Sequence, residues 1–202
     1  RVIVKALSDP AAPGEIFREL EDASVDIRYL INNAGFGSLG PFHERPVDEQ
    51  IGMIQVNVMA LAHLSRLFLP SMVKNGQGHV MNIASVAAYQ AGPFMATYYA
   101  TKAFVVSFSE AIANELRGTG VYVTVVNPGP TVTEFHKRAG VESSTLFSRR
   151  MTMDVTTVAQ IAYDGMKNKK TVVTAGAKNK LLIFSTRLAP RSMTANVARS
   201  LN

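Results

Sequence analysis

The sequence predicts an α/β fold: a doubly wound parallel sheet between two layers of helix, α/β/α. Two observations carry this. Short apolar runs rich in β-branched residues alternate with longer stretches of helical period through all 202 residues. Strand–helix–strand order requires crossovers, and crossovers give parallel strands covered on both faces. The apolar runs also leave into polar or glycine-rich segments, Asn32-Asn33-Ala34-Gly35, then Ser85, then Asn127-Pro128-Gly129. In such a sheet, ligands bind beyond the carboxyl ends of the strands, so these exits mark the expected site.

Val2-Ile3-Val4 reads as the first strand, and Ser8-Asp9-Pro10 stops it. Residues 15–23 suit a helix, with Ile16, Phe17 and Leu20 on one face. Residues 27–31 form the next strand. Pro46 is placed to open a long helix holding Ile51, Ile54, Val58, Leu61 and Leu64, expected to kink or stop near Pro70. Gly76 and Gly78 precede a strand at 79–84, and a helix at 98–117 is closed by Gly118 and Gly120. A strand at 121–126, a helix at 155–166, a short strand at 171–174 and a helical tail over about 178–202 complete the order. One domain, 1–202, accounts for the length.

Hydrophobic residues make up 47%, and charged residues 18% against the roughly 25% usual in soluble chains, which supports a core and excludes intrinsic disorder. The absence of Cys excludes a disulfide framework and thiolate chemistry. No apolar run approaches the roughly 20 residues of a bilayer span, and no signal-peptide pattern opens the chain, so a cytoplasmic location is expected. Charge is uneven. Residues 1–136 carry 9 basic and 12 acidic side chains, net −3, whereas 137–202 carry 12 and 3, net +9. The basic third is either a solvated face or a surface for an anionic partner. Nucleic acid is not expected, because the cations form no dense run and few aromatics interleave them.

Tyr98 and Lys102 stand four apart on a helix, one turn from each other on the same face. A phenol titrating near ~10 is a poor acid–base catalyst at neutral pH, and a neighbouring ammonium would lower that value. Ser85, at the tip of the preceding strand, can hold a carbonyl oxygen within reach of the phenol. Taken singly, each has a plain structural role: helix aromatic, surface lysine, helix N-cap. The four histidines, His43, His63, His79 and His136, show no metal-ligand spacing, so no metal is expected.

Together with Asn32-Asn33-Ala34-Gly35, Asn57, Tyr98-Tyr99-Ala100-Thr101-Lys102 and Pro128-Gly129 with Thr133, these residues resemble the short-chain dehydrogenase/reductase family of Rossmann-type NAD(P)-dependent oxidoreductases. The resemblance covers nearly the whole chain. It implies that Tyr98 exchanges a proton with the carbonyl or alcohol oxygen while hydride moves at the nicotinamide. Lys102 would lower the tyrosine pKa and bind the nicotinamide ribose, and Ser85 would polarise the carbonyl. Asn57 would use a local helix distortion to hold a water leading from Lys102 to solvent. Asn33, Ala34 and Gly35 would pack near the adenosine half, with Pro128, Gly129 and Thr133 around the nicotinamide and diphosphate. The implied cofactor is NAD(P), with NADP slightly favoured. The implied partners are a small apolar carbonyl or alcohol substrate (3-oxoacyl, steroid-like or similar) and further copies of the chain in a dimer or tetramer. Residues 134–153 resemble the family's variable substrate lid.

Two departures stand out. The glycine-rich turn of the family is absent; Gly35, Gly37 and Gly40 do not form it and follow the wrong strand. The chain resembles the family from its third strand onward, so the first two strands, on the order of 50–60 residues with their crossovers, are expected upstream of Arg1. Ala6 stands where relatives carry an acidic residue for the adenine. These departures favour a second reading, a cofactor-impaired scaffold or regulatory binding protein. A third is an enzyme that uses its basic tail on a membrane surface or an acidic carrier.

Overall fold

The computed structural model describes residues 1–131, 133, 135, 139–140 and 152–202. The expected lid, 134–153, lies mostly outside them, as does His136. Helix α1, Ala12–Asp22, starts with Pro13 in its first turn, where the lost N–H costs nothing. Strand β1 is Tyr29–Asn32. Helix α2, Val47–Ile54, passes through a π-helical turn, Gln55–Ala60, into α3, Leu61–Lys74. Strand β2, Gly78–Ile83, leads through a 3₁₀ turn, Val86–Tyr89, to the 20-residue α4, Ala96–Glu115, and β3 is Val121–Asn127. Then come α5, Val155–Lys167, β4, Val172–Thr174, α6, Ala177–Leu188, and α7, Arg191–Leu201.

The four strands pair in chain order, β1-β2-β3-β4, all parallel. Alternation along the strands builds two cores. Val80, Val121 and Val123 meet Leu64, Phe68 and Met72 of α3, with Phe17 of α1 edge-on to Phe68 at 5.3 Å between ring centroids. Met81, Val126 and Val173 meet Ala162 and Met166 of α5 on the opposite face. The doubly wound α/β architecture is therefore present.

Two expectations fail. Residues 2–4 form no strand, and Val2 and Val4 are exposed. A strand is held by a neighbour's backbone, and the neighbour available to this segment is α1, not the sheet: Arg1 and Lys5 reach Glu19 and Glu15 of that helix. Pro70 does not stop α3, which continues to Lys74. Pro70 is exposed, so the carbonyl it leaves unpaired faces water. Val47–Lys74 makes a continuous helical run of 28 residues, apolar enough by length and composition to cross a bilayer. Its α3 half packs on the core, with Leu61, Leu64, Phe68 and Met72 buried against the sheet, whereas Val47, Ile51 and Met59 are exposed.

Candidate active site

The carboxyl ends of the strands are held in register by buried amides. Asn32 Nδ2 donates to Asn82 Oδ1 (2.8 Å) and to Ser65 Oγ of α3 (3.1 Å), and Asn82 Nδ2 donates to Ser109 Oγ of α4 (2.9 Å). Buried polar groups persist where they are paired, and this chain ties α3, β1, β2 and α4 together. Beyond it the backbone turns outward through Asn33, Ala34 and Gly35, all exposed. Asn57, in the π-helical turn, clamps that exit: its Oδ1 accepts from Phe36 N (3.1 Å), and its Nδ2 donates to Phe36 O (2.9 Å) and Thr101 Oγ1 (3.0 Å). A methyl on Gly35 would stand 3.0 Å from Asn57 Oδ1 and 3.4 Å from Lys102 Nζ, which puts these three residues side by side.

Ser85 leaves β2 in extended backbone and caps the 3₁₀ turn, its Oγ accepting from Ala87 N (3.1 Å). The same hydroxyl lowers the pKa of Tyr98, so the cap and the site share it. Burial pushes the Tyr98 phenol up to about 12, Ser85 pulls it down, and Tyr99 adds to the rise. Lys102, one turn on, is buried; its Nζ donates to Ile83 O at 2.8 Å and lies 5.8 Å from the Tyr98 ring centroid. Burial lowers its pKa to about 8. The Tyr98 shift thus runs opposite to the expected one, with burial and not Lys102 as its main cause. Desolvation dominates both groups, and the ammonium sits against a backbone carbonyl.

These side chains face one cavity of about 1180 Å³. Asn33, Gly35, Ser85, Tyr98, Lys102, Pro128, Gly129 and Thr133 line it, while Ala34 and Asn57 do not. Ala6 is exposed and outside it. The remaining wall is largely apolar: Met95 and Phe135 beside Tyr98, Val158, Ala162 and Met166 from α5, and Leu181, Leu182, Val197 and Leu201 from α6 and α7. Gly37 lets the loop approach Tyr98, because a methyl there would lie 2.8 Å from Phe135 and 3.2 Å from the Tyr98 ring. Among the described residues no cluster of three metal-ligating side chains occurs.

The profile of the short chain dehydrogenase family matches residues 2–143, more than two thirds of the chain. This chain belongs to the short-chain dehydrogenase/reductase family. It is 31% identical over 187 residues to the ketoacyl reductase HetN of Nostoc, covering 88% of this chain and 63% of that protein. It is 40% identical over 123 residues to the NADP-dependent 3-hydroxy acid dehydrogenase YdfG of Salmonella typhimurium, covering 59% of this chain and 48% of that one. The chain thus spans about one third to two thirds of the curated relatives it matches. A short-chain dehydrogenase from Sphingobium yanoikuyae in complex with NADPH superposes with a TM-score of 0.76 at 31% identity, over 90% of this chain and 71% of that one.

A nicotinamide dinucleotide fits the residues present at one end. Among the described residues Lys102 uses one of its three possible donors, and it faces the cavity beside the open flank of Gly35. Gly129 also lines the cavity, and its missing side chain lets Asn179, which donates to Ala175 O, pack against the loop, since a methyl would lie 2.3 Å from the Asn179 amide. Sequence reasoning missed Asn82, Thr101 and Asn179. A buried amide inside an otherwise apolar strand was the available signal for Asn82; Asn179 has none.

Proposed function

We propose that the protein interconverts a carbonyl and a secondary alcohol on an apolar substrate as an NAD(P)-dependent oxidoreductase, with Tyr98 as acid and base. The observation that carries this reading is the meeting of Tyr98, Ser85 and Lys102 in one large, mostly apolar cavity at the carboxyl ends of the strands. A bound nicotinamide supplies or accepts the hydride. With its pKa near 12, Tyr98 holds its proton at neutral pH, the form that donates to a carbonyl oxygen. Ser85, on the same cavity wall as the phenol, orients that oxygen. Lys102 holds the cofactor's ribose with the donors that Ile83 leaves over. Asn57 fixes the loop that carries Asn33 and Gly35. Pro128, Gly129 and Thr133 complete the nicotinamide side.

NADP is the favoured form, supported by the named NADP dependence of one relative and the NADPH bound in one similar structure. The apolar wall of α5 and α6 suits a 3-oxoacyl or steroid-like substrate better than a sugar. The test is consumption of NADPH and NADH by the protein with a panel of apolar ketones, 3-oxoacyl esters and polar keto acids. Turnover confined to apolar ketones supports the reading. Turnover with none of them, alongside measurable cofactor binding, overturns it in favour of a binding protein.

A further inference from the structure

Helices α6 and α7 leave an apolar surface open. Leu181, Phe184 and Leu188 stand at helical spacing on α6 and are 68%, 56% and 74% exposed, and Met193 and Val197 continue the surface on α7. A terminal helix normally turns its apolar face inward; here Ile183 and Ala198 take the inward positions instead. The same pair carries the exposed cations Lys180, Arg187 and Arg191, none of them in an ion pair among the described residues. The sequence has eight Lys and Arg after Asp164 and no acidic residue. Leu181 and Val197 belong both to this surface and to the cavity wall, so the patch runs to the mouth of the site.

We propose that the α6–α7 face docks on an anionic lipid bilayer. Apolar side chains at the centre enter the boundary between headgroups and acyl chains, and the long cationic side chains around them reach the phosphates. A second copy of the chain fits worse, because a twofold contact would set this all-cationic patch against itself. Docked in this way, the cavity mouth opens at the depth where an apolar substrate resides. That delivery rests on the oxidoreductase reading; the docking does not.

Co-sedimentation with vesicles tests it, using phosphatidylcholine alone and phosphatidylcholine with phosphatidylglycerol, at low and high salt. The protein should sediment with the anionic vesicles at low salt and be released at high salt, because exposed charges are screened. Replacing Lys180, Arg187 and Arg191 together by Ala should weaken binding roughly a hundredfold, about fivefold per cation. Phe184→Ser with Leu188→Ser should abolish it without lowering the melting temperature, since both side chains are exposed. Tyr98→Phe should sediment like the parent, which separates this proposal from the catalytic one. Protein left in the supernatant with anionic vesicles at low salt overturns the proposal. So does binding that survives the Phe184/Leu188 change, or a dimer in ultracentrifugation that this change dissociates while vesicles capture nothing.

Discussion

The two ends of the sheet bury polar groups to a similar degree and use them in opposite ways. At the amino end, His79 Nε2 meets Thr124 Oγ1 at 2.8 Å, and Thr124 passes its own proton to Lys170 O at 2.7 Å. The threonine proton is committed, so the histidine must be the donor, and every member of the chain is satisfied. Burial, with Lys169 nearby, lowers His79 to about 4 and holds it neutral. At the carboxyl end the network is left open. Among the described residues Lys102 has one acceptor, Tyr98 faces a cavity, and Asn127 keeps a buried Oδ1 with no partner. A closed polar chain stabilises the fold, whereas an open one retains capacity for a ligand.

The largest effect expected from breaking this contrast is at Tyr98. Tyr98→Phe keeps the ring packed on Phe135 and removes the hydroxyl. Loss of a general acid costs about 10²–10⁴-fold in turnover. Steady-state kinetics with the best ketone should show that loss in kcat, with the melting temperature little changed. Near-full turnover in an assay limited by chemistry would remove Tyr98 from the mechanism.

Lys102→Met should move activity and stability in opposite directions. Its folded pKa, about 8, lies below the ordinary 10.5, so the unfolded chain binds the proton more tightly. The penalty is in full force below pH 8 and disappears as pH rises toward 10.5. Methionine removes it, a gain of up to about 3 kcal/mol at neutral pH, less the lost bond to Ile83. Urea unfolding at pH 7 and pH 10 checks this; a variant less stable than the parent at pH 7 would show that the ammonium is well solvated. Activity should fall at least tenfold through cofactor affinity.

His79→Gln sharpens the other end. The folded pKa of about 4 lies below the ordinary 6.5, so the parent loses stability as pH falls through that interval, on the order of 3 kcal/mol by pH 4. Glutamine can still donate to Thr124 and does not titrate. Unfolding midpoints at pH 7 and pH 4.5 should therefore converge in the variant and diverge in the parent. Parallel behaviour would mean that His79 protonates without cost.

What the sequence made legible divides along the same line. The strands at 78–83 and 121–127 are apolar runs bounded by glycine, and Tyr98 with Lys102 is a spacing within one helix; such local patterns survive into the structure. Val2-Ile3-Val4 has an equally good strand composition and fails, because strand formation depends on a neighbour. The lowering of the Tyr98 pKa expected from Lys102 is not found, for a related reason. Adjacency along a helix is visible in sequence, but burial, which dominates both shifts, is a property of the packed whole. Likewise Asn32, Asn82, Ser65 and Ser109 meet across 27 to 50 residues of chain, beyond any local pattern.

The smallest effect expected concerns how the open end keeps its outer wall. Asn202 follows α7 and bonds back to the loop before α4: its Nδ2 donates to Pro93 O at 2.9 Å, and its Oδ1 accepts from Tyr99 OH at 3.4 Å. Arg199 stacks on Phe94 beside it at 4.8 Å, and Phe94 holds a left-handed backbone, φ 67°, that such a contact helps to fix. Tyr99 in turn lies edge-on to Tyr98, ring centroids 6.1 Å apart. Asn202→Ala removes both bonds where water can replace part of them, so about 0.5–1.5 kcal/mol is lost locally. That loss belongs to the docking of α7 and not to the sheet, because the polar chains at 32–109 and 79–170 are untouched. Amide hydrogen exchange should therefore speed up severalfold in α7 while β2 and β3 keep their protection. In kinetics the same change should raise KM for the bulkiest apolar ketone, whose wall includes Val197 and Leu201, and leave kcat within about twofold. An equal drop in kcat for small and bulky ketones would mean instead that Tyr99 positions Tyr98 through the tail, and that the open end extends one residue further than the cavity wall suggests.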